Sequence, residues 1–448
     1  MKQSLRRGRR TFAAAAFIGA SALALAACSG SSDSESSSTA GGGGGATGTT
    51  SDEFTYLGQT QNTTIIGTLE ALQTGACAAA ADGTPLVSDA IDGTTWDQQL
   101  QVYAANDALS NMSMAAGTPS LMQDFIESGK VLNLTEAFAD LGVEGKILPA
   151  AEATLKQLYQ SDDLYALPTE YNIEGFWYNK QLLEDNGVEL PATWTDLVAA
   201  AETLDAAGVQ PFVAAGGDGW PVTRLVGDYI FRSLGADALQ KVADGEASLT
   251  DPEYVEAADA VAALGEAGYF GAAAGSVDYN TAMNQFLTGG GAFFYMGSWA
   301  LANFNDEEQN QIGVDNIGYL PFPEVEGGAG SIDEVPANAG IPVMFTTANY
   351  TDDIGEWLQC ITENYGNVAL AEFGQVTGFE VTEIPEDQTD LTTLVQDTIA
   401  SATGSVLWFE AAFTSEGTTV SQTNGGGLAS GNLSGQEFME LVQAANGG

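Results

Sequence analysis

Apolar and polar positions alternate along this chain in short blocks that predict strands and helices in turn. Phe54–Asn62 reads as a strand running into a polar turn, and Ile65–Thr74 as a helix stopped before Gly75. The pattern from Trp96 through Ala115 predicts a helix, then a Gly117–Pro119 turn, then helices and short loops over Leu121–Leu158. Gly175–Tyr178 predicts a strand, with Asn179 as the N-cap of a helix that Gly187 ends. Thr193 and Asp196 have capping-box spacing, with Trp194, Leu197, Val198, Ala201 and Leu204 on one face of the helix that follows. Asp251-Pro252 marks another helix start. Asn280–Leu287 is a short helix stopped by three glycines, and Ala292–Met296 a buried strand turned by Gly297 and Ser298, which leaves Trp299 opening the next helix.

The N-terminal stretch follows different rules. Five basic residues precede the small-residue apolar run Phe12–Ala27, and Leu25-Ala26-Ala27-Cys28 follows directly. This resembles a bacterial lipoprotein signal, residues 1–27, cleaved to leave Cys28 as a lipidated N-terminus. Arg9-Arg10 admits twin-arginine as well as Sec export. Residues 28–51 carry almost nothing to bury, and a flexible linker of that length spans roughly 25 Å. Lipid on Cys28 would hold the protein at the outer face of the cytoplasmic membrane.

Composition narrows the partners. The chain has 448 residues, 12 basic and 60 acidic side chains and no histidine. Without the leader the net charge is about −53, so nucleic acid and anionic membrane surfaces are repelled. Such a charge suits either a solvated surface in salt or a field that attracts cations. The length calls for two α/β lobes rather than one core. Without histidine, imidazole-based triads and His-rich metal sites are excluded. Adjacent acids such as Asp162-Asp163 are uninformative in so acidic a chain, and Gly289–Gly291 lacks the Lys-Ser/Thr of a phosphate loop. No catalytic set, metal site or cofactor is indicated.

The succession YALP, WYNK, ATWTDL, AAGVQPF, GGDGWP, TDPE, GYF and F-x-x-G-G-G-A-x-x-Y-M-G-S-W-A-L resembles the extracellular solute-binding proteins of ABC sugar importers, relatives of maltose-binding protein. The resemblance covers about Leu164–Gln443. It departs at Leu69–Ala90, which leaves the first-lobe ligand contacts open. It implies a two-lobed periplasmic-binding-protein-like α/β fold with a multi-strand hinge and a ligand cleft between lobes. Lobe one is assigned to 52–170 and 322–375, lobe two to 171–321 and 376–448. On that division Cys77 and Cys360 share a lobe, which makes a disulfide between them feasible.

A sugar needs aromatic faces for its C–H side and fixed donors and acceptors for its hydroxyls. Trp299, after a strand and a Gly-Ser turn, is the first candidate for stacking, against a core role. Trp220, after Asp218-Gly219, either stacks or plugs its lobe, and Trp408 with Glu410 is a similar pair near the hinge. Gln59, Asn62, Glu170, Tyr171, Asp218 and Asn338 are the candidate hydroxyl partners. The implied function is a non-enzymatic, monomeric receptor that delivers a sugar or oligosaccharide to ABC permease transmembrane subunits. A same-fold receptor for a cationic solute such as a polyamine and a secreted carbohydrate-active enzyme are the alternatives.

Overall fold

The computed structural model describes residues 51–60, 62–386 and 388–447. The signal stretch, Cys28 and nearly all of the linker lie outside the described residues. Ten strands are described: β1 (Phe54–Gln59), β2 (Leu86–Ile91), β3 (Met112–Met114), β4 (Asn172–Asn179), β5 (Phe212–Val213), β6 (Phe293–Gly297), β7 (Ile317–Leu320), β8 (Glu334–Asn338), β9 (Val343–Phe345) and β10 (Gly404–Val406). They form two sheets, the first in the order β2-β1-β3-β9 and the second β10-β8-β4-β6-β5, with β7 also paired to β4.

In the first lobe the parallel pairing of β1 with β2 and β3 needs crossovers, which the helices Thr64–Thr74 and Trp96–Ala105 supply. Phe54 stacks on Trp357 of the long helix Asp352–Phe373, ring centroids 4.6 Å apart. The Trp357 indole N–H meets the carbonyl of Thr84 at 2.8 Å, so the ring is buried without an unpaired donor.

β4 is buried along nearly its whole length because both faces of the second sheet are covered. On one face Phe176 packs against Phe212, Phe293, Tyr295 and Phe322. On the other Trp177 packs against Phe304 and Tyr319 and donates its N–H to Met296 O at 2.8 Å. Each such side chain contributes roughly 1.5–3 kcal/mol by burial, so this strand anchors the second lobe.

Three segments join the lobes. Leu167 and Val343 exchange backbone hydrogen bonds of 2.7 and 3.1 Å, and Asn172 pairs with Asn338 one step further along the same two segments. The third segment bonds through Tyr171 N to Val376 O at 3.1 Å and Gly378 N to Pro168 O at 2.9 Å.

Local predictions survive where their cause is local. Asn179 caps its helix by accepting from Leu182 N, the Thr193–Asp196 capping box is complete, and Trp194 is a core residue. Three expectations shift. The helix begun at Trp96 ends at Ala105, because Met112–Met114 is a strand held between β1 and β9, too short to show a period of its own. Residues 322–338, assigned above to lobe one, stay with the second sheet: Phe322 packs in its core and β8 pairs with β4 and β10. Residues 376–380, assigned to lobe two, instead bond to first-lobe Lys146 and Leu148 before the helix Asp390–Ser401 begins.

Cys77 and Cys360 are bonded, tying the segment after the first helix to the helix Asp352–Phe373 across 283 residues of chain. Replacing both by serine is expected to lower the unfolding free energy by about 2–4 kcal/mol, through the freer unfolded chain. Denaturant titration of the two proteins under non-reducing conditions checks this; equal midpoints would show that the bond carries no stability.

Candidate functional site

Several strands of both sheets end toward one place, as ligand-binding α/β sheets do at their carboxyl edges. After β3 the loop Ala115–Pro119 is held by the Trp96 indole, which donates to Ala115 O at 2.8 Å. Asp97 accepts from Gly117 N at 2.7 Å and Thr118 N at 3.0 Å. After β5 the turn at Asp218-Gly219 leads into the helix Trp220–Leu234. Gly219 has φ of 75°, and a Cβ there would lie 1.7 Å from Gln422 O, so only glycine seats this turn on the helix Ser415–Ala429. Trp299 follows β6, and its ring lies so close over Gly297 that a Cβ there would be 1.9 Å from it. Trp408 follows β10, and Asn338 closes β8.

These elements enclose a cavity of 510 Å³, an ordinary size for a small-molecule site. The second lobe contributes Trp220, Arg224, Trp299 and Trp408. The hinge crossing contributes Asn338, Gly340, Ile341 and Pro342, and the first lobe Ala116, Gly117, Pro119, Leu158 and Tyr159. Trp220 and Trp299 lie with centroids 5.8 Å apart and planes at 56°, and Tyr279 stacks on Trp220 from 6.3 Å. The Arg224 guanidinium sits between two indoles, 5.5 Å from the Trp220 ring and 5.4 Å from that of Trp408.

Arg224 is held from beneath. Its Nη1 pairs with Glu174 of β4, a carboxylate that is almost fully buried. Glu174 also accepts from Asn338 Nδ2 at 2.8 Å, and Asn338 Oδ1 accepts from Gly340 N at 2.9 Å. Polar contacts thus run from the aromatic wall to the hinge crossing. Burial works against the charge on Arg224, but Glu174 and Glu410 more than offset it, so the guanidinium stays protonated. One helical turn on, Asp228 accepts from the Tyr295 hydroxyl, and burial with the nearby charge of Glu174 pushes its carboxyl up to about 8. One turn further, buried Arg232 donates to the carbonyls of Phe322, Ser331 and Glu334 at 3.1, 2.6 and 2.9 Å, fixing the segment that leads into β8.

Of the residues chosen from sequence, Trp220, Trp299, Trp408 and Asn338 line this one cavity. Glu410 is buried beside Arg224, accepting from Thr223 and Ser421, and burial raises its pKa. Asp218 is exposed and accepts from Tyr279 N, which ties the Trp220 turn to the helix Tyr279–Leu287. Glu170 lies at the hinge, accepting from Asn62 Nδ2 at 3.2 Å and Asn172 Nδ2 at 3.5 Å, with its pKa raised by burial. Asn62 is thereby committed to the hinge, and Gln59 ends β1 outside the lining. Tyr171 is corrected: it is buried in the core with its hydroxyl 3.3 Å from Thr154 Oγ1, because the side chain next to Glu170 turns away from the cleft.

Arg224 and Glu174 were missed. The signal was present, since Arg224 and Arg232 are the sole arginines after Arg10 and Asp228 stands midway at helical spacing. Most charged helix faces are solvated, and nothing local marks this one as buried.

Two outcomes test the network. Arg224→Met should cost about 3–5 kcal/mol by stranding the buried Glu174 carboxylate, and adding Glu174→Gln should restore part of the loss. Additive losses in denaturant titrations would show that the two charges are not coupled. For Asp228 the folded-state value stands above the 3.8 of a free aspartate, so the proton is held in the native state and stability is lost as pH rises from 3.8 toward about 8. Asp228→Asn removes that loss, so its melting temperature relative to the parent should climb across this window; a parallel pair of curves would contradict the assignment.

Residues 87–364 match the sequence pattern of the family described as bacterial extracellular solute-binding protein. An uncharacterized ABC transporter extracellular-binding protein of Pyrococcus horikoshii is 28% identical over 155 residues, 34% of each chain. A probable sugar-binding periplasmic protein of Mesorhizobium japonicum is 27% identical over 233 residues, 50% of this chain and 54% of that one. The matches thus span from a third to about half the length of these curated relatives. A solved structure from work on xylan utilization by Caldanaerobius polysaccharolyticus superposes with a TM-score of 0.75 at 19% identity, covering 88% of this chain and 99% of the other. At that identity the likeness is one of fold.

Proposed function

Because the chain belongs to the bacterial extracellular solute-binding protein family, we propose that it is the receptor of an ABC importer and captures an uncharged sugar or oligosaccharide. The observation that carries this is the cavity between the lobes, where three indoles and one guanidinium meet beside the hinge crossing. Indole faces suit the C–H side of pyranose rings, and charged donors make the stronger hydrogen bonds to hydroxyls. The name of the Mesorhizobium relative, a probable sugar-binding protein, supports the same class. A ligand touching both walls favours the closed arrangement, and release to the permease transmembrane subunits follows reopening. Lipid on Cys28 holds this monomeric receptor at the outer face of the cytoplasmic membrane, within reach of that permease.

The cleft chemistry disfavours the alternatives. A cationic solute would seek the indole faces that Arg224 already occupies, and would meet its positive charge. A glycosidase needs two carboxylates flanking the scissile bond, whereas among the described residues no carboxylate lines the cavity.

Calorimetric titration of the purified protein with neutral mono- and oligosaccharides and with polyamines tests the class; heats from polyamines alone would overturn it. Trp299→Ala is expected to weaken sugar binding well over tenfold, more than about 1.4 kcal/mol, with the melting temperature nearly kept. A collapse of the folded state in place of that loss would assign the ring to the core.

A further inference from the structure

The walls of the cavity differ in kind. The first-lobe wall is Ala116, Gly117, Pro119 and Leu158, with Tyr159 as its one polar side chain, and the hinge adds Ile341 and Pro342. A bare sugar closed against this surface would bury hydroxyls beside carbons, which leaves them unpaired.

The polar groups are equally one-sided. Asn338 has spent its amide on Glu174 and its carbonyl on Gly340. The remaining lining side chains with hydrogen-bonding atoms are Arg224, Tyr159 and the three tryptophans, of which only the tyrosine hydroxyl can accept. Side chains here therefore ask the ligand for acceptor oxygens and for an apolar group, on a body with C–H faces that stack on indole.

Resting on the sugar-receptor reading, we propose that the preferred ligand is an N-acetylated sugar, a hexosamine unit or a short oligomer of such units. Its amide carbonyl is a better acceptor than a hydroxyl and meets the donors around Arg224. Its methyl group lies against Leu158, Ile341 and Pro342, where a hydroxyl would go unsatisfied. The acetamido nitrogen carries no charge, so the guanidinium between the indoles does not repel it. The free amine of the same sugar is a cation and is refused for that reason.

The test uses matched pairs differing at a single substituent: N-acetylglucosamine against glucose, N-acetylgalactosamine against galactose, and N,N′-diacetylchitobiose against cellobiose and the dimer of glucosamine. Titration calorimetry of the intact exported protein is expected to give at least one acetamido sugar a dissociation constant about tenfold or more below that of its parent sugar, with the amine weaker than both. Ile341→Asn, at the half-exposed hinge position, should shrink that ratio toward one while the melting temperature holds. Parent sugars binding as tightly as their acetylated partners would overturn the acetamido preference and leave the sugar receptor standing. Failure of every neutral sugar would overturn both.

Discussion

A buried positive charge has to be answered, and in this protein the answer connects the cleft to the hinge. Arg224 leaves water at the start of a helix whose first residue, Trp220, belongs to the aromatic wall. Taking a guanidinium out of solvent costs several kcal/mol unless a partner of good geometry is supplied. Glu174 supplies it from the middle of β4, the best-buried strand of the second lobe, and Asn338 steadies Glu174 from the last residue before the crossing. Ring position, strand order and hinge geometry are constrained together, because moving any one strands a charge.

This arrangement explains why the indoles can serve as rigid surfaces. Trp220 and Trp408 flank a cation that is itself fixed, and Trp299 is pressed over a glycine that could be nothing larger. Rings held in this way lose little freedom when a ligand arrives, so more of the stacking energy remains as affinity. The first lobe needs less apparatus. Its wall is a short loop set by Trp96 and Asp97 and a helix end at Leu158, surfaces that need only be brought up to the guest by the hinge.

Charge works at two scales. Over the whole chain the acidic excess gives a strong negative field, yet the cleft wall carries an arginine and no carboxylate. Long-range fields set encounter, whereas desolvated contacts set selection. The carboxylates nearest the cavity are either paired, as Glu174 is, or biased toward their neutral form by burial, as Glu410 and Asp228 are. The acidic total therefore says little about what the cleft holds.

The sequence by itself determined what depends on near neighbours: the caps at Asn179 and Thr193, the core role of Trp194, the strand-turn placement of Trp299, and enough ordered motifs to point to a two-lobed receptor. It also placed three tryptophans at strand ends, where they meet. Only the tertiary structure decided that Tyr171 faces inward while Glu170 serves the hinge, that residues 322–338 stay with the second sheet, and that Arg224, Asp228 and Arg232 form a buried row. Those outcomes depend on which surfaces become covered by segments 50 to 170 residues away, such as the Glu174 that meets Arg224 and the Asn338 that meets Glu174. Burial changes the sign of a charged residue's contribution, and local pattern carries no information about burial from a distance.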